Sequence, residues 1–169
     1  MFSDPKKNVE EFGFIPGQTV VDLGSGAGHY SFALSKILGV DGHIYCVDIK
    51  SETLVKLKNQ AEKDGIGNLE VICGDVSKLN GTKLRDDLAD GVILSNILSL
   101  VSEKVAAIIE TKRITKSGGK VCVVEWTDKI KQDILKDMFI KSGFNFEKTF
   151  NAGDNHYGLI FRKYTVDSK

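Results

Sequence analysis

Two prolines, one tryptophan and three cysteines are all that 169 residues contain of those types, and each scarcity closes off a class of protein. So few prolines exclude a polyproline segment or a Pro-rich linker. Cys46, Cys73 and Cys122 form no CxxC pair. An odd count without close spacing builds neither a disulfide framework nor a zinc site. Each sits in an apolar, strand-like run, as a small buried hydrophobe does. They are therefore expected to be too enclosed for a catalytic thiol, for arsenite or for cytosine C5 chemistry.

Net charge is absent as well, with 23 Lys plus Arg against 23 Asp plus Glu. No global field draws the chain to nucleic acid or to an anionic membrane. The local cluster Lys112, Arg113, Lys116 and Lys120 reads as a solvated helix end. No apolar run reaches the length of a membrane span, and Met1 leads into polar, charged residues rather than a signal peptide. These absences predict a cytoplasmic protein. Hydrophobic residues at 41% and charged ones at 27% are ordinary for a globular chain. One domain over 1–169 is expected, with 1–14 as a helical cover segment.

What the chain does contain is concentrated in Val20-Val21-Asp22-Leu23-Gly24-Ser25-Gly26-Ala27-Gly28-His29-Tyr30. A buried strand ends in an acid, and alternate glycines then lead into a helix. Glycines let the chain turn tightly and let a ligand lie on bare backbone. Asp22 would repel a pyrophosphate and welcome an ammonium group. That preference points to S-adenosylmethionine, a nucleoside with a charged amino-acid end and no phosphate.

Around this loop, short apolar runs alternate with helical patterns, which predicts a parallel sheet covered on both faces. A first helix opens at Asp4 with Pro5 in its first turn and Gly13 past its end. Strands follow at Thr19–Leu23, Ile44–Asp48, Leu69–Cys73, Val92–Leu94 and Val121–Glu125. Ser51 is expected to cap the helix carrying Leu54, Leu57 and Ala61. The helix after Ser102 should bury Val105, Ile108 and Ile109, and Ser117-Gly118-Gly119 should break it. A last helix carries Ile130, Ile134 and Met138. Five β–α units then close with a hairpin, Phe144–Phe150 and Tyr157–Tyr164.

Asp22, Asp48 and Asp75 stand at the ends of the first three strands, where ligands bind in open α/β sheets. Asp48 sits where this layout places the acid for ribose hydroxyls. Ile49 can pack on an adenine face, Asp75 after Gly74 can accept from its amino group, and Val76 can offer a backbone N–H. On neighbouring parallel strands Cys46 and Cys73 should then lie side by side.

These residues resemble the motifs of the class I S-adenosylmethionine-dependent methyltransferases. Val20 to Gly28 looks like the first motif, Cys46-Val47-Asp48-Ile49 the second and Cys73-Gly74-Asp75-Val76 the third. Ala89 to Asn96 is similar to the fourth. The nearest subgroup is that of quinone-biosynthesis and small-molecule enzymes. The resemblance implies a Rossmann-like doubly wound sheet of order 3-2-1-4-5-7-6 with strand 7 antiparallel. It also implies in-line transfer of the sulfonium methyl to an O, N or C nucleophile, with positioning supplying most of the catalysis.

The cofactor contacts so expected are Asp22, Gly24, Ser25, Gly26, Gly28, Tyr30, Asp48, Ile49, Gly74, Asp75, Val76 and Ser95. Glu125, His156 and Tyr157 are the candidates for acid–base work, with Asn96 and Trp126 near the methyl group. No acid ends strand four, so no metal site is expected. Ser95-Asn96-Ile97-Leu98 lacks the Asn-Pro-Pro-aromatic loop of adenine and glutamine N-methylation. Trp126 runs almost directly into a helix where relatives carry a longer loop. The site is therefore open, which suits a large acceptor, a homodimer or a lid from a partner chain. A non-catalytic cofactor-binding sensor or partner subunit is the alternative function. An NAD-dependent oxidoreductase is a further one, disfavoured because His29 stands where its fingerprint needs glycine.

Overall fold

The computed structural model describes residues 3–164, so Met1 and Phe2 of the expected cover segment, and residues 165–169 of the expected domain, lie outside them. Pro5–Phe12 forms α1. Asp4 caps it, its carboxylate accepting from Lys6 N at 3.1 Å and Lys7 N at 3.4 Å. Pro5 stands where no N–H is needed, and Gly13 ends the helix in the left-handed region. β1 (Thr19–Leu23), α2 (His29–Leu38), β2 (His43–Asp48), α3 (Ser51–Lys63) and β3 (Leu69–Cys73) follow. The second half runs β4 (Ala89–Ser95), α4 (Lys104–Ile114), β5 (Thr115–Trp126), α5 (Gln132–Lys141), β6 (Phe144–Asn151) and β7 (His156–Lys163).

The seven strands form one sheet of order β3-β2-β1-β4-β5-β7-β6. β7 runs antiparallel to β5 and β6 while the other pairs are parallel. The expected topology is the observed one. Side chains alternate across it. Val20, Cys46, Ile93 and Val124 pack with Phe12, Tyr30, Leu34 and Leu57 of α1, α2 and α3. Val21, Leu23, Val92 and Val123 pack instead with Ile108, Leu135 and Phe139 of α4 and α5. All β–α turns at the carboxyl ends of β1, β2, β4 and β5 thus converge on one pole.

Several local expectations need correction. No helix follows β3, so the five β–α units are four. Asn80, Lys83 and Asp87 all have positive φ there, and they interrupt any helix. The fully buried Glu110 pins that segment, accepting from Asn80 N at 2.8 Å and Thr82 Oγ1 at 2.6 Å. Turning Glu110 inward rotates α4. Val105 and Ile109 are 54% and 47% exposed, whereas Ala107, Thr111 and Ile114 are buried with Ile108. In α5 the buried residues are Leu135 and Phe139, and Ile134 is exposed.

Lys50, not Ser51, stands at the α3 cap position, and no side chain caps it. β5 begins at Thr115, so Ser117-Gly118-Gly119 lies within an irregular strand that slips register against β4. The basic cluster is not a solvated helix end. Arg113 pairs with Glu110 and Asp86, Lys116 with Asp90, and Lys120 donates to Phe12 O at 2.7 Å. Cys46 and Cys122 are buried but Cys73 is exposed, because β3 is the sheet's edge. Cys46 registers with Val71, and Cys73 with Asp48. The two thiols occupy neighbouring strands two positions apart, since β3 stops before Asp75.

Candidate functional site

The turn after β1 is tied to the end of β2. Gly24 N and Ser25 N both donate to Val47 O, at 2.8 and 3.1 Å, and Gly28 N donates to Ser25 O at 2.8 Å. Gly26 N donates to Asp48 Oδ2 at 2.9 Å. Four N–H groups that a phosphate-cradling loop would present are therefore spent inside the protein. Gly26 has φ +51, and a Cβ there would meet nothing within 4 Å, so it faces open space. Gly24 is roofed by Ile97, whose side chain would lie 2.7 Å from an added Cβ. Gly28 instead packs on Leu57 and Phe32 and borders neither cavity described next.

Two cavities open at the carboxyl pole and share Gly24, Gly26 and Asn96. One, of about 500 Å³, is lined by Asp22, Ser25, Tyr30 and Ser95 together with Ser3 and Pro5 near α1. The other, of about 640 Å³, is lined by Asp48, Ile49, Gly74, Asp75 and Val76 on one side and Ile97, Leu100 and Val101 on the other. The expected cofactor contacts except Gly28 thus border one bilobed cleft. Asn96, expected near the methyl group, borders both lobes, whereas Ile97, Leu100 and Val101 were not among the expected contacts. The apolar run after strand four was their only signal.

The cleft is acid-lined. Asp22 is 2% exposed and takes a hydrogen bond from Ser31 Oγ at 2.6 Å, to which the Cys46 thiol donates in turn. Burial, opposed by the Ser31 bond and reinforced by the Asp48 charge, pushes its pKa up to about 6. Asp48 braces the turn through Gly26 N and, with its other oxygen, accepts from Lys50 N at 2.9 Å. Each carboxylate oxygen keeps a second lone pair for a ligand hydroxyl. Asp75 accepts from Ser77, a bond that holds its carboxyl below the usual range, and pairs with Lys78 at 3.1 Å. Tyr30 hydroxyl accepts from the buried Asn8 side chain at 2.9 Å, which also reaches Ala152 O. Burial raises the Tyr30 pKa.

The acid–base candidates lie apart from the cleft lining. Glu125 is fully buried, and its oxygens accept from Ser99 N, Ser99 Oγ and Trp126 N. Tyr157 donates its hydroxyl to Ile130 O at 2.8 Å, and burial pushes its pKa up. His156 packs against Trp126 with ring centroids 3.9 Å apart and the ring planes tilted by 41°. Its Nδ1 lies 2.9 Å from Asp154 O. A carbonyl only accepts, so the proton sits on Nδ1 and leaves the buried Nε2 without a hydrogen-bond partner. Two further buried atoms are unpaired at the cleft itself, Ser25 Oγ and Asn96 Oδ1. An open glycine, two carboxylates and two orphaned polar atoms fit a nucleoside with an amino-acid tail.

The family model described as a methyltransferase domain matches residues 15–157. The chain belongs to that family. S-adenosylmethionine is the cofactor of this methyltransferase domain. It is similar to an arsenite methyltransferase of Halobacterium salinarum, 33% identical over 108 residues that span 64% of this chain and 27% of that protein. It is also similar to the ubiquinone/menaquinone biosynthesis C-methyltransferase UbiE of Vibrio campbellii, 31% identical over 122 residues, 72% of this chain and 46% of that protein. The domain thus spans less than half the length of these two curated relatives. Among solved structures, a SAM-dependent methyltransferase from Aquifex aeolicus superimposes with a TM-score of 0.85 at 24% identity, covering 95% of this chain and 89% of that one. Among the described residues no helix is long and apolar enough to cross a membrane.

Proposed function

We propose that this chain moves the sulfonium methyl of S-adenosylmethionine to an acceptor that brings its own nucleophile. The observation that carries this reading is the turn after β1, whose N–H groups are committed internally while Asp22 and Asp48 face the cleft. A diphosphate would meet two acids and few free donors. A ribose and an ammonium group find complementary charge. When bound, the cofactor supplies an electrophilic methyl carbon. Asp48 would take the ribose hydroxyls, Ile49 and Val76 the adenine, and Asp22 the ammonium group. Ser95, Asn96 and Tyr30 would border the methyl end.

The acceptor side of the cleft offers hydroxyls and an amide, from Ser3, Tyr30, Ser95 and Asn96, the exposed imidazole of His29, and no carboxylate besides Asp22. Glu125 and Tyr157 already hold backbone partners. With Glu125 and Tyr157 so held, transfer depends chiefly on alignment and on excluding water. The arsenite in one relative's name does not carry over, because arsenite is thiophilic and Cys46 and Cys122 are buried. Cys73 is exposed, beside Ile49 at the adenine end. The reading extends to an O, N or C acceptor, to the cytoplasm, and to a partner or second copy over the open cleft. A cofactor-binding sensor or partner subunit is the second reading, favoured by the engagement of Glu125 and Tyr157 inside the protein.

Calorimetry with S-adenosylhomocysteine, followed by labelled methyl transfer into fractionated extract, tests both readings. Saturable binding with label transferred is expected. Binding without transfer to any fraction favours the sensor. Asp48→Ala should weaken S-adenosylmethionine binding by about 1.5–3 kcal/mol, the cost of losing hydrogen bonds to a charged group. Unchanged affinity would put the ribose elsewhere.

A further inference from the structure

We infer that Glu125 is a positioning residue that sets cofactor affinity through the segment between β4 and α4, and takes no part in proton transfer. The inference rests on the cofactor reading above. Asn96, Ile97, Leu100, Val101 and Ser102 form one wall of the larger cavity, and Ile97 roofs Gly24. Internally this segment is one tight turn, with Leu100 N and Val101 N donating to Ile97 O. Asn96 N holds its start to Val124 O at 2.8 Å, and Leu98 sinks into the core. Ser99 is its polar anchor. Its N–H donates to Glu125 Oε2 at 3.1 Å and its hydroxyl to Oε1 at 2.9 Å.

Oε1 also accepts from Trp126 N at 3.0 Å, so a single buried carboxylate joins the end of β5 to the wall of the cleft. A carboxylate is the side chain this needs, because all three partners are donors. An amide at the same place would turn an NH2 group toward at least one of them. A buried donor left facing a donor is costly, and the wall can relieve it by moving. The cleft, not the strand, then takes up the change.

Glu125→Gln and Ser99→Ala are measured beside the wild type. Hydrogen exchange of the ligand-free proteins reads residues 96–102 directly and needs no cofactor. Glu125→Gln should raise exchange there, and Ser99→Ala should do so by less. In calorimetry Glu125→Gln should weaken S-adenosylhomocysteine about tenfold, while the pH dependence of binding keeps its wild-type midpoint. The double variant should weaken it less than the product of the two single effects, because both act through one contact. A lowered melting temperature with wild-type exchange at 96–102 and wild-type affinity would make Glu125 structural only and overturn the inference. A displaced pH midpoint would make it a proton-exchanging group and overturn it equally. If the wild type takes up no S-adenosylhomocysteine, the cofactor reading fails and the exchange result alone decides the role of Glu125.

Discussion

Gly26→Val should bind S-adenosylhomocysteine roughly a hundredfold more weakly than the wild type, a loss of about 2.7 kcal/mol, while the fold survives. Gly26 borders both cavities, and a Cβ there meets no protein atom within 4 Å. The new side chain therefore fills the cleft and leaves the core untouched. Its φ of +51 adds a backbone cost of about 1–2 kcal/mol for a residue with a Cβ, which lowers the melting temperature modestly. Gly28→Val should do the opposite. Its Cβ would lie 2.8 Å from the buried Leu57 side chain, at φ +79, so stability falls first. Calorimetry and thermal melts on the two variants separate ligand space from packing. Wild-type affinity in Gly26→Val would mean that no ligand lies against this turn.

The second large effect is a pH dependence of opposite sign in the free and bound protein. Folding raises the Asp22 pKa from 3.8 to about 6, so the native state binds the proton more tightly than the unfolded chain. This group's stabilising contribution is full below the unfolded value and is lost as pH rises through about 6, a change on the order of 3 kcal/mol. A bound ammonium group favours the carboxylate, so cofactor affinity rises with pH over the same interval. Below the midpoint, S-adenosylhomocysteine affinity should gain about tenfold per pH unit and then level off. Asp22→Asn should flatten both curves and be the more stable ligand-free form at pH 8. Denaturant titrations at pH 5 and 8 with parallel calorimetry check this. Affinity independent of pH in the wild type would remove Asp22 from the ammonium site.

Where local chemistry and burial agree, the sequence was a sufficient guide. Asp4-Pro5 and Gly13 bracket α1, and Gly24 and Gly26 after Asp22 mark the cleft. Misreadings came where a polar residue is buried. Glu110 turns inward because Arg113, Thr82 and Asn80 N surround it, and that rotates Val105 and Ile109 outward on α4. Periodicity assigns isoleucine to the core and glutamate to water, so it cannot anticipate this inversion. Glu125 is the same case at the cleft. Its sequence context, an acid at a strand end, resembles a base. On the inference above it is a brace, and the partner that would make it one, Ser99, lies 26 residues away in the chain. The absent helix after β3 has a related cause, since left-handed Asn80, Lys83 and Asp87 carry no strong signal other than Asn-Gly.

The most direct measurement is a competitive calorimetric titration of the wild-type chain with S-adenosylhomocysteine and NAD at neutral pH. Stoichiometric uptake of the thioether nucleoside, undisturbed by excess NAD, is the result expected of two acids beside a turn whose amides are already committed. Heat from NAD that the nucleoside cannot compete away, or displacement of the nucleoside by NAD, would contradict it.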